Sequence, residues 1–119
     1  MRICVPTSTD AGLTAPVHGH FGSAPYFTLV DEDGGNLKVV SNQNDHHQHG
    51  MCSPMDSLRD EEFDAVVVTG MGRRAMQVIQ AGGARVLRAA GPTIQANLES
   101  LRDGVLGEMT DNHACEGHH

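Results

Sequence analysis

Short apolar runs alternate with polar, glycine-rich segments along this chain of 119 residues. The first run, at residues 2–5, predicts a β-strand that ends at Pro6, because proline cannot donate a hydrogen bond to a neighbouring strand. Residues 7–24 are rich in glycine, threonine, serine and alanine and predict a loop. Residues 26–30 and 36–41 predict two strands, and the Asp-Gly-Gly sequence between them indicates an antiparallel hairpin.

The middle of the chain changes to a strand and helix pattern. Residues 53–60 predict a short helix, with Ser53 as its N-cap and Pro54 as its first helical residue. The continuous apolar run at residues 65–69 predicts a strand that is covered on both faces, as strands of parallel sheets are.

Two further helices and one strand complete the predicted fold. Residues 73–81 have apolar positions at helical spacing and are followed by two glycines, which end the helix. Residues 84–87 predict a short parallel strand, and a last helix begins after Gly91-Pro92-Thr93. The order strand-strand-strand-helix-strand-helix-strand-helix predicts an α/β fold, a mixed five-stranded sheet with helices on its faces.

Size, charge and cysteine content restrict the function. We predict one domain at residues 1–110 and a flexible tail at 111–119 that contains histidine and cysteine. The net charge of −7 argues against nucleic acid and anionic membranes, which both require a basic surface. Three cysteines without regular spacing indicate reduced thiols and a cytoplasmic location, and the first apolar run is too short for a signal peptide.

A histidine-rich segment is the strongest chemical feature of the sequence. Imidazole, thioether and thiol groups suit copper, zinc or nickel, and we predict that this segment contacts metal. It lacks the paired cysteines and histidines of a structural zinc site, so an inert histidine-rich loop is the alternative. The candidate ligands are His46, His47, His49, Met51 and Cys52.

Two glycine turns and a histidine loop are expected at the carboxyl edge of the sheet, where α/β folds bind ligands. Free backbone N–H groups at the start of a helix, together with two arginines, would form an anion site. The alternatives are an ordinary tight turn for the glycines and solvated surface residues for the arginines. A nicotinamide site is disfavoured because the next strand ends in Leu87-Arg88, without the acid that binds ribose. The first turn and helix start contribute Gly70, Met71, Gly72, Arg73 and Arg74.

The second turn and the long loop after the first strand would complete this pocket. Gly91, Pro92 and Thr93 form its second wall or serve only to cap the last helix. His20 either binds metal or sulfide or packs against Phe21. Met71 and Ile94 are expected to provide an apolar wall.

The segments His20-Phe21-Gly22-Ser23-Ala24-Pro25-Tyr26-Phe27, Val68-Thr69-Gly70-Met71-Gly72-Arg73-Arg74-Ala75 and Gly82-Gly83-Ala84-Arg85-Val86 resemble the dinitrogenase iron–molybdenum cofactor biosynthesis domain family. The resemblance runs from about Met1 to about Arg102. It implies a ribonuclease-H-like fold in three layers and binding of metal–sulfur clusters or their precursors. A small single-domain chain with a His/Met/Cys loop also resembles the orange proteins of sulfate-reducing bacteria, which carry a molybdenum–copper sulfide cluster.

The resemblance favours a non-catalytic carrier or scaffold for a molybdenum–copper sulfide cluster or a related molybdenum–iron–sulfur precursor, with protein partners in cluster delivery. The alternative is a copper, nickel or zinc chaperone that uses the histidine-rich segment directly. An enzyme of the ribonuclease-H class is not expected, because residues 2–5 carry no acidic side chain for magnesium and no nucleophile–base pair is evident.

Overall fold

The computed structural model describes residues 1–42 and 61–108. In this part of the chain, five strands form one mixed sheet in the order β3-β2-β1-β4-β5, accompanied by two α-helices and a short 3₁₀ helix, Gly12–Thr14. The elements are β1 (Arg2–Thr7), β2 (Tyr26–Asp31), β3 (Lys38–Ser41), β4 (Ala65–Val68), α1 (Arg73–Ala81), β5 (Arg85–Arg88) and α2 (Ile94–Arg102).

The strand directions place the hairpin at one side of the sheet and the strand–helix units at the other. β2 pairs antiparallel with both β1 and β3, and β4 pairs parallel with both β1 and β5. β1, β4 and β5 therefore end at the same edge of the sheet, which is called the carboxyl edge below.

Alternation of side chains along the central strands builds two separate apolar cores. On one face, Val66 and Val86 pack with Met76 of α1. On the other face, Val67 and Leu87 belong to a second cluster that includes Ile94 and Leu98 of α2. Because successive strand residues point to opposite faces, the continuous run of valines in β4 serves both cores. The described residues thus form three layers, helix, sheet and helix.

The hydrophobic pattern predicted most of these elements correctly. The hairpin, the strand–helix units and the mixed sheet are confirmed, with boundaries displaced by one or two residues at β3 and β5. The predicted helix at residues 53–60, the histidine-rich segment and the tail lie outside the described residues. No helix among the described residues is long and apolar enough to cross a membrane.

The predicted end of the first strand at Pro6 was wrong. β1 continues through Pro6 to Thr7, with Pro6 opposite Phe27 of β2. On its other side, β1 pairs with β4 only at Ile3 and Cys4. Pro6 therefore has no β4 residue opposite it, and no hydrogen bond to β4 is lost because proline has no N–H. Its carbonyl instead accepts a hydrogen bond from the backbone N–H of His18, at 2.8 Å.

Backbone pairings occur in the segment predicted as a loop after β1 and in the segment after α2, for which no element was predicted. After β1, the chain forms the 3₁₀ helix. It then forms two isolated antiparallel β-bridges, between Val17 and Thr7 and between Pro16 and Thr93. Near the end of the described chain, Glu108 bridges to Leu87 of β5, and the N–H of Arg88 donates to the carbonyl of Gly107. These contacts are backbone pairings between distant segments, which side-chain periodicity does not reveal.

Candidate functional site

Three connections meet at the carboxyl edge of the sheet: residues 8–25 after β1, 69–72 after β4 and 89–93 after β5. The backbone N–H of Phe21 donates to the carbonyl of Gly70 at 3.3 Å, and the N–H of Val17 donates to the carbonyl of Pro92 at 2.9 Å. The long first connection therefore contacts both glycine turns. The structure brings these three predicted segments together through the backbone.

The amino end of α1 lies at the carboxyl edge of the sheet. Gly72 is its N-cap, and no side chain among the described residues caps the helix there. The first hydrogen bond of the helix is donated by the N–H of Met76 to the carbonyl of Gly72, at 3.1 Å. The amides that precede Met76 in the first turn have no partner within the helix, as at every helix start.

Gly72 has no conformational need to be glycine. Its φ of −66° and ψ of 154° suit any residue, and a Cβ built on it meets no heavy atom within 4 Å. Gly19, in the first connection, is likewise open on its side-chain side. A glycine that neither strain nor packing explains is typical of a place where a ligand approaches the backbone closely.

Met71 and Ile94 do not form an apolar wall. Met71 is 2% exposed and packs in the core on the α1 face, whereas Ile94 is fully buried in the core on the α2 face. The sheet separates the two side chains. Only the backbone of Met71 remains for a ligand, while Arg73 and Arg74 are exposed at the start of α1.

Asn97 of α2 fixes the second glycine turn. Its buried side chain accepts hydrogen bonds from the N–H groups of Ala90 and Gly91, at 2.7 and 3.2 Å. It donates to the carbonyls of Gly91 and Thr93, at 3.0 and 2.7 Å. Two amides of this turn are therefore already satisfied inside the protein, so the turn offers a firm wall more than a set of donors.

Sequence reasoning missed Asn97, although one signal was available. Asn97 lies directly before Leu98 on the buried side of a helix, where a polar residue must find hydrogen-bond partners. Thr93 is the cap of α2, and its hydroxyl accepts from the N–H of Ala96 at 3.2 Å. The capping interpretation of Thr93 is thereby confirmed.

The histidines of the first connection have different surroundings. His20 is exposed, and next to it Phe21 is buried with its ring centroid 5.1 Å from that of Phe27. His18 is half-buried between two serines, with Nδ1 3.0 Å from Oγ of Ser8 and Nε2 3.4 Å from Oγ of Ser23. Sequence reasoning missed this arrangement, because the spacing of Ser8, His18 and Ser23 follows no motif.

The described residues contain no group of three or more histidine, cysteine, aspartate or glutamate side chains that could hold a metal ion. Cys4 is fully buried in the core, and this burial raises the pKa of its thiol far above the ordinary value. The Cys4 thiol therefore packs as a small apolar group of the core on the α1 face. The predicted ligands His46, His47, His49, Met51 and Cys52 lie outside the described residues.

Positive charge is distributed unevenly between the two ends of the sheet. Basic residues at the first positions of β1, β3 and β5 and at the last position of α2 lie away from the carboxyl edge, and each has an oxygen partner. The partners are Asp31 for Arg2, Glu61 for Lys38, Glu108 for Arg85 and the carbonyl of Glu32 for Arg102.

At the carboxyl edge, by contrast, the guanidinium groups of Arg74 and Arg88 are exposed and have no hydrogen-bond or ion-pair partner among the described residues. Arg73 lies beside Arg74 in the first turn of α1. In a chain with a net charge of −7, Arg74 and Arg88 thus place positive charge at this edge that no described acidic residue pairs with.

Comparisons with known proteins agree with this architecture. The family model for "Dinitrogenase iron-molybdenum cofactor" matches residues 1–104. A proposed NifB protein from Thermotoga is 29% identical, with a TM-score of 0.74 over 90% of this chain and 91% of that one. The apo orange protein from Desulfovibrio gigas is 24% identical, with a TM-score of 0.75 over 92% of this chain and 96% of that one, and shares the fold. No curated protein sequence matches significantly.

Proposed function

Because this chain belongs to the dinitrogenase iron–molybdenum cofactor family, we propose that it is a non-catalytic, cytoplasmic carrier or scaffold for a molybdenum-containing metal–sulfur cluster. The cargo is a molybdenum–copper sulfide cluster or a molybdenum–iron–sulfur precursor, which this protein transfers to recipient proteins. We also propose that the fold is ribonuclease-H-like. The cargo would lie at the carboxyl edge, against the amino end of α1.

The amino end of α1, which no described side chain caps, is the observation that carries this proposal. A thiomolybdate unit is anionic and already saturated by sulfide, so it needs few protein ligands. It needs N–H donors and local positive charge, which a helix start provides. At this helix start, no described side chain caps the helix and a Cβ on Gly72 would enter open space.

The neighbouring arginines support an anionic cargo. Cations in the first turn of a helix oppose its dipole at a cost of about 0.3–1 kcal/mol each, and α1 has two, Arg73 and Arg74. A bound anion would offset that cost by attracting both the arginines and the helix start. His20, exposed in the adjoining connection, is available to donate a hydrogen bond to sulfide or to bind metal.

Other features support a role without catalysis. β1 contains no acidic residue, although enzymes of the ribonuclease-H class carry one on the first strand to bind magnesium. Ser8 and His18 form a hydroxyl–imidazole pair, but the second ring nitrogen faces the hydroxyl of Ser23. A hydroxyl does not stabilise an imidazolium as the carboxylate of a catalytic triad does.

Reconstitution tests the proposal directly. The protein is incubated with tetrathiomolybdate and copper(I), and in parallel with copper(I) alone, and excess reagent is removed by gel filtration. We expect a coloured complex with a fixed metal-to-protein ratio only when the sulfide-containing reagent is present. Absence of such a complex would contradict the proposal. Tight uptake of copper alone that is lost when His46, His47 and His49 are replaced together would favour the metal-chaperone alternative instead.

Substitution of Gly72 localises the cargo. We expect Gly72→Ala to weaken cluster binding at least about tenfold, because a methyl group would occupy the space next to the helix start, where the cargo makes charge-assisted hydrogen bonds. The matched control is Gly82→Ala at the other end of α1, where a Cβ makes only ordinary contacts. Equal affinity of the two variants would argue against a cargo at Gly72.

A further inference from the structure

Arg88 stands at the end of β5, where a nicotinamide-binding fold would have an acidic residue. It is the last residue of β5, and its Cα is in register with that of Val68, the last residue of β4. Neighbouring strands lie about 4.8 Å apart. The Gly70 turn leaves the sheet directly after Val68, so Arg88 starts one strand away from the turn that leads into α1.

The face from which Arg88 emerges follows from its neighbours on β5. Val86 packs in the core on the α1 face, and Leu87 packs in the core on the α2 face. Because side chains alternate along a strand, Arg88 emerges on the α1 face and Arg85 on the α2 face. Val68 also belongs to the α1-face core. Arg88 thus stands at the carboxyl edge on the same side of the sheet as the start of α1.

The two arginines of β5 also differ in their partners. The Nε of Arg85 lies 3.6 Å from a carboxylate oxygen of Glu108. The guanidinium of Arg88 is exposed, and no described residue pairs with it. Arg88 can therefore turn toward a ligand without breaking an ion pair with a described residue.

We infer that Arg88 is a third cationic group of the cargo site, beside Arg73 and Arg74, and that it contacts the cargo directly. The inference rests on the proposed function and makes it more specific. Three guanidinium groups around one helix start suit a cargo with several negative charges, such as a thiometallate polyanion, better than a bare metal cation. The net charge of −7 makes such a local group necessary, because the field of the whole chain repels anions.

Arg88→Gln and Arg85→Gln form a matched pair that tests this inference. Both change the same residue type on the same strand, both residues are exposed, and both substitutions make the net charge more negative by one. Each variant is titrated with tetrathiomolybdate and copper(I), and the visible absorption gives the apparent Kd. We expect Arg88→Gln to raise the Kd about tenfold, as the loss of a charge-assisted hydrogen bond does, and Arg85→Gln to change it less than about twofold.

A second variant and a salt series test whether the positive charge of Arg88 causes the effect. Arg88→Lys keeps the charge and should retain most of the affinity. Added salt should weaken binding more in the wild-type protein than in Arg88→Gln, because one attraction that salt screens is missing from the variant. Thermal unfolding of each variant shows that the fold is preserved.

The outcomes distinguish this inference from the proposed function. Equal Kd values for Arg88→Gln and Arg85→Gln, with a wild-type protein that binds the cluster, would overturn the role of Arg88 and leave the carrier function standing. A wild-type protein that fails to bind would overturn the carrier function itself. Weakened binding of copper(I) alone by Arg88→Gln would also contradict the inference, since an added cation is repelled by arginine.

Discussion

At the residue scale, the glycines of the two turns serve different purposes. A Cβ at Gly91 would lie 2.6 Å from the Cβ of Ala96, so this glycine allows the turn to pack against α2. A Cβ at Gly72 would meet nothing within 4 Å. The same residue type in similar positions therefore reflects internal packing in one turn and leaves open space beside the helix start in the other.

Replacement of Gly91 by alanine should destabilise the protein. The clash with Ala96 should lower the free energy of unfolding by about 1–3 kcal/mol, as overpacking does elsewhere. Urea unfolding measures the effect, and Gly72→Ala, which meets no neighbour, should be at least as stable as the wild-type protein.

A double-mutant cycle assigns the Gly91 effect to this contact. Ala96→Gly alone weakens α2 by about 1 kcal/mol, because glycine is a poor helix former. If the two methyl groups collide, the double variant should be more stable than the sum of the single effects predicts. Simple additivity would show that the clash is not the cause.

At the element scale, α2 and the turn before it are one hydrogen-bonded unit. Thr93 caps the helix, and Asn97, one turn later, holds the backbone of the turn through four hydrogen bonds. The same turn receives the first connection, because the N–H of Ile94 donates to the carbonyl of Ala15 at 3.2 Å. The position of the first connection at the carboxyl edge thus depends on the amino end of α2.

Removal of the Asn97 side chain should expose this dependence. Asn97→Ala leaves the N–H groups of Ala90 and Gly91 without their partner, and we expect the free energy of unfolding to fall by about 1–3 kcal/mol. Gln95→Ala, an exposed change on the same helix, should alter it by less than about 0.5 kcal/mol. Chemical denaturation compares the two variants, and similar stabilities would mean that the turn holds itself without Asn97.

At the scale of the whole molecule, the two edges of the sheet have opposite electrostatic roles. Away from the carboxyl edge, Asp31 accepts hydrogen bonds from Asn36 at 2.6 Å and from Arg2 at 3.1 Å. The Asn36 bond first, and then the Arg2 bond and charge, hold the pKa of Asp31 below its ordinary value. These partners tie β1 to the hairpin turn, whereas at the carboxyl edge Arg74 and Arg88 have no ion-pair partner among the described residues.

The lowered pKa of Asp31 predicts how stability depends on pH. A carboxyl group that titrates lower in the folded chain stabilises the fold above its unfolded pKa of about 3.9, and this stabilisation is lost as the pH falls through the folded value. Asp31→Asn should therefore be less stable than the wild-type protein near neutral pH. The difference should shrink in acid, which denaturant unfolding at a series of pH values would show. A difference that does not depend on pH would contradict this role of the charge.

Sequence reasoning located the elements of the candidate site but not their interactions. It predicted the glycine turns after β4 and β5 and the loop after β1, and the structure brings these segments together at one edge. It predicted the second turn as a wall of the pocket or a helix cap, and did not reveal that Asn97 occupies two amides of this turn. The metal-binding role of the histidine-rich segment stays a prediction, since that segment lies outside the described residues.

Apart from the end of β1, the sequence alone determined the five strands, α1, α2 and the hairpin, because hydrophobic period, proline, glycine and capping residues act within a few positions along the chain. Only the tertiary structure decided that β1 continues past Pro6, that His18 lies between two serines and that Arg88 shares a face with the start of α1. Those facts depend on which strands become neighbours. Strand order joins residues far apart in sequence, so no local pattern encodes it.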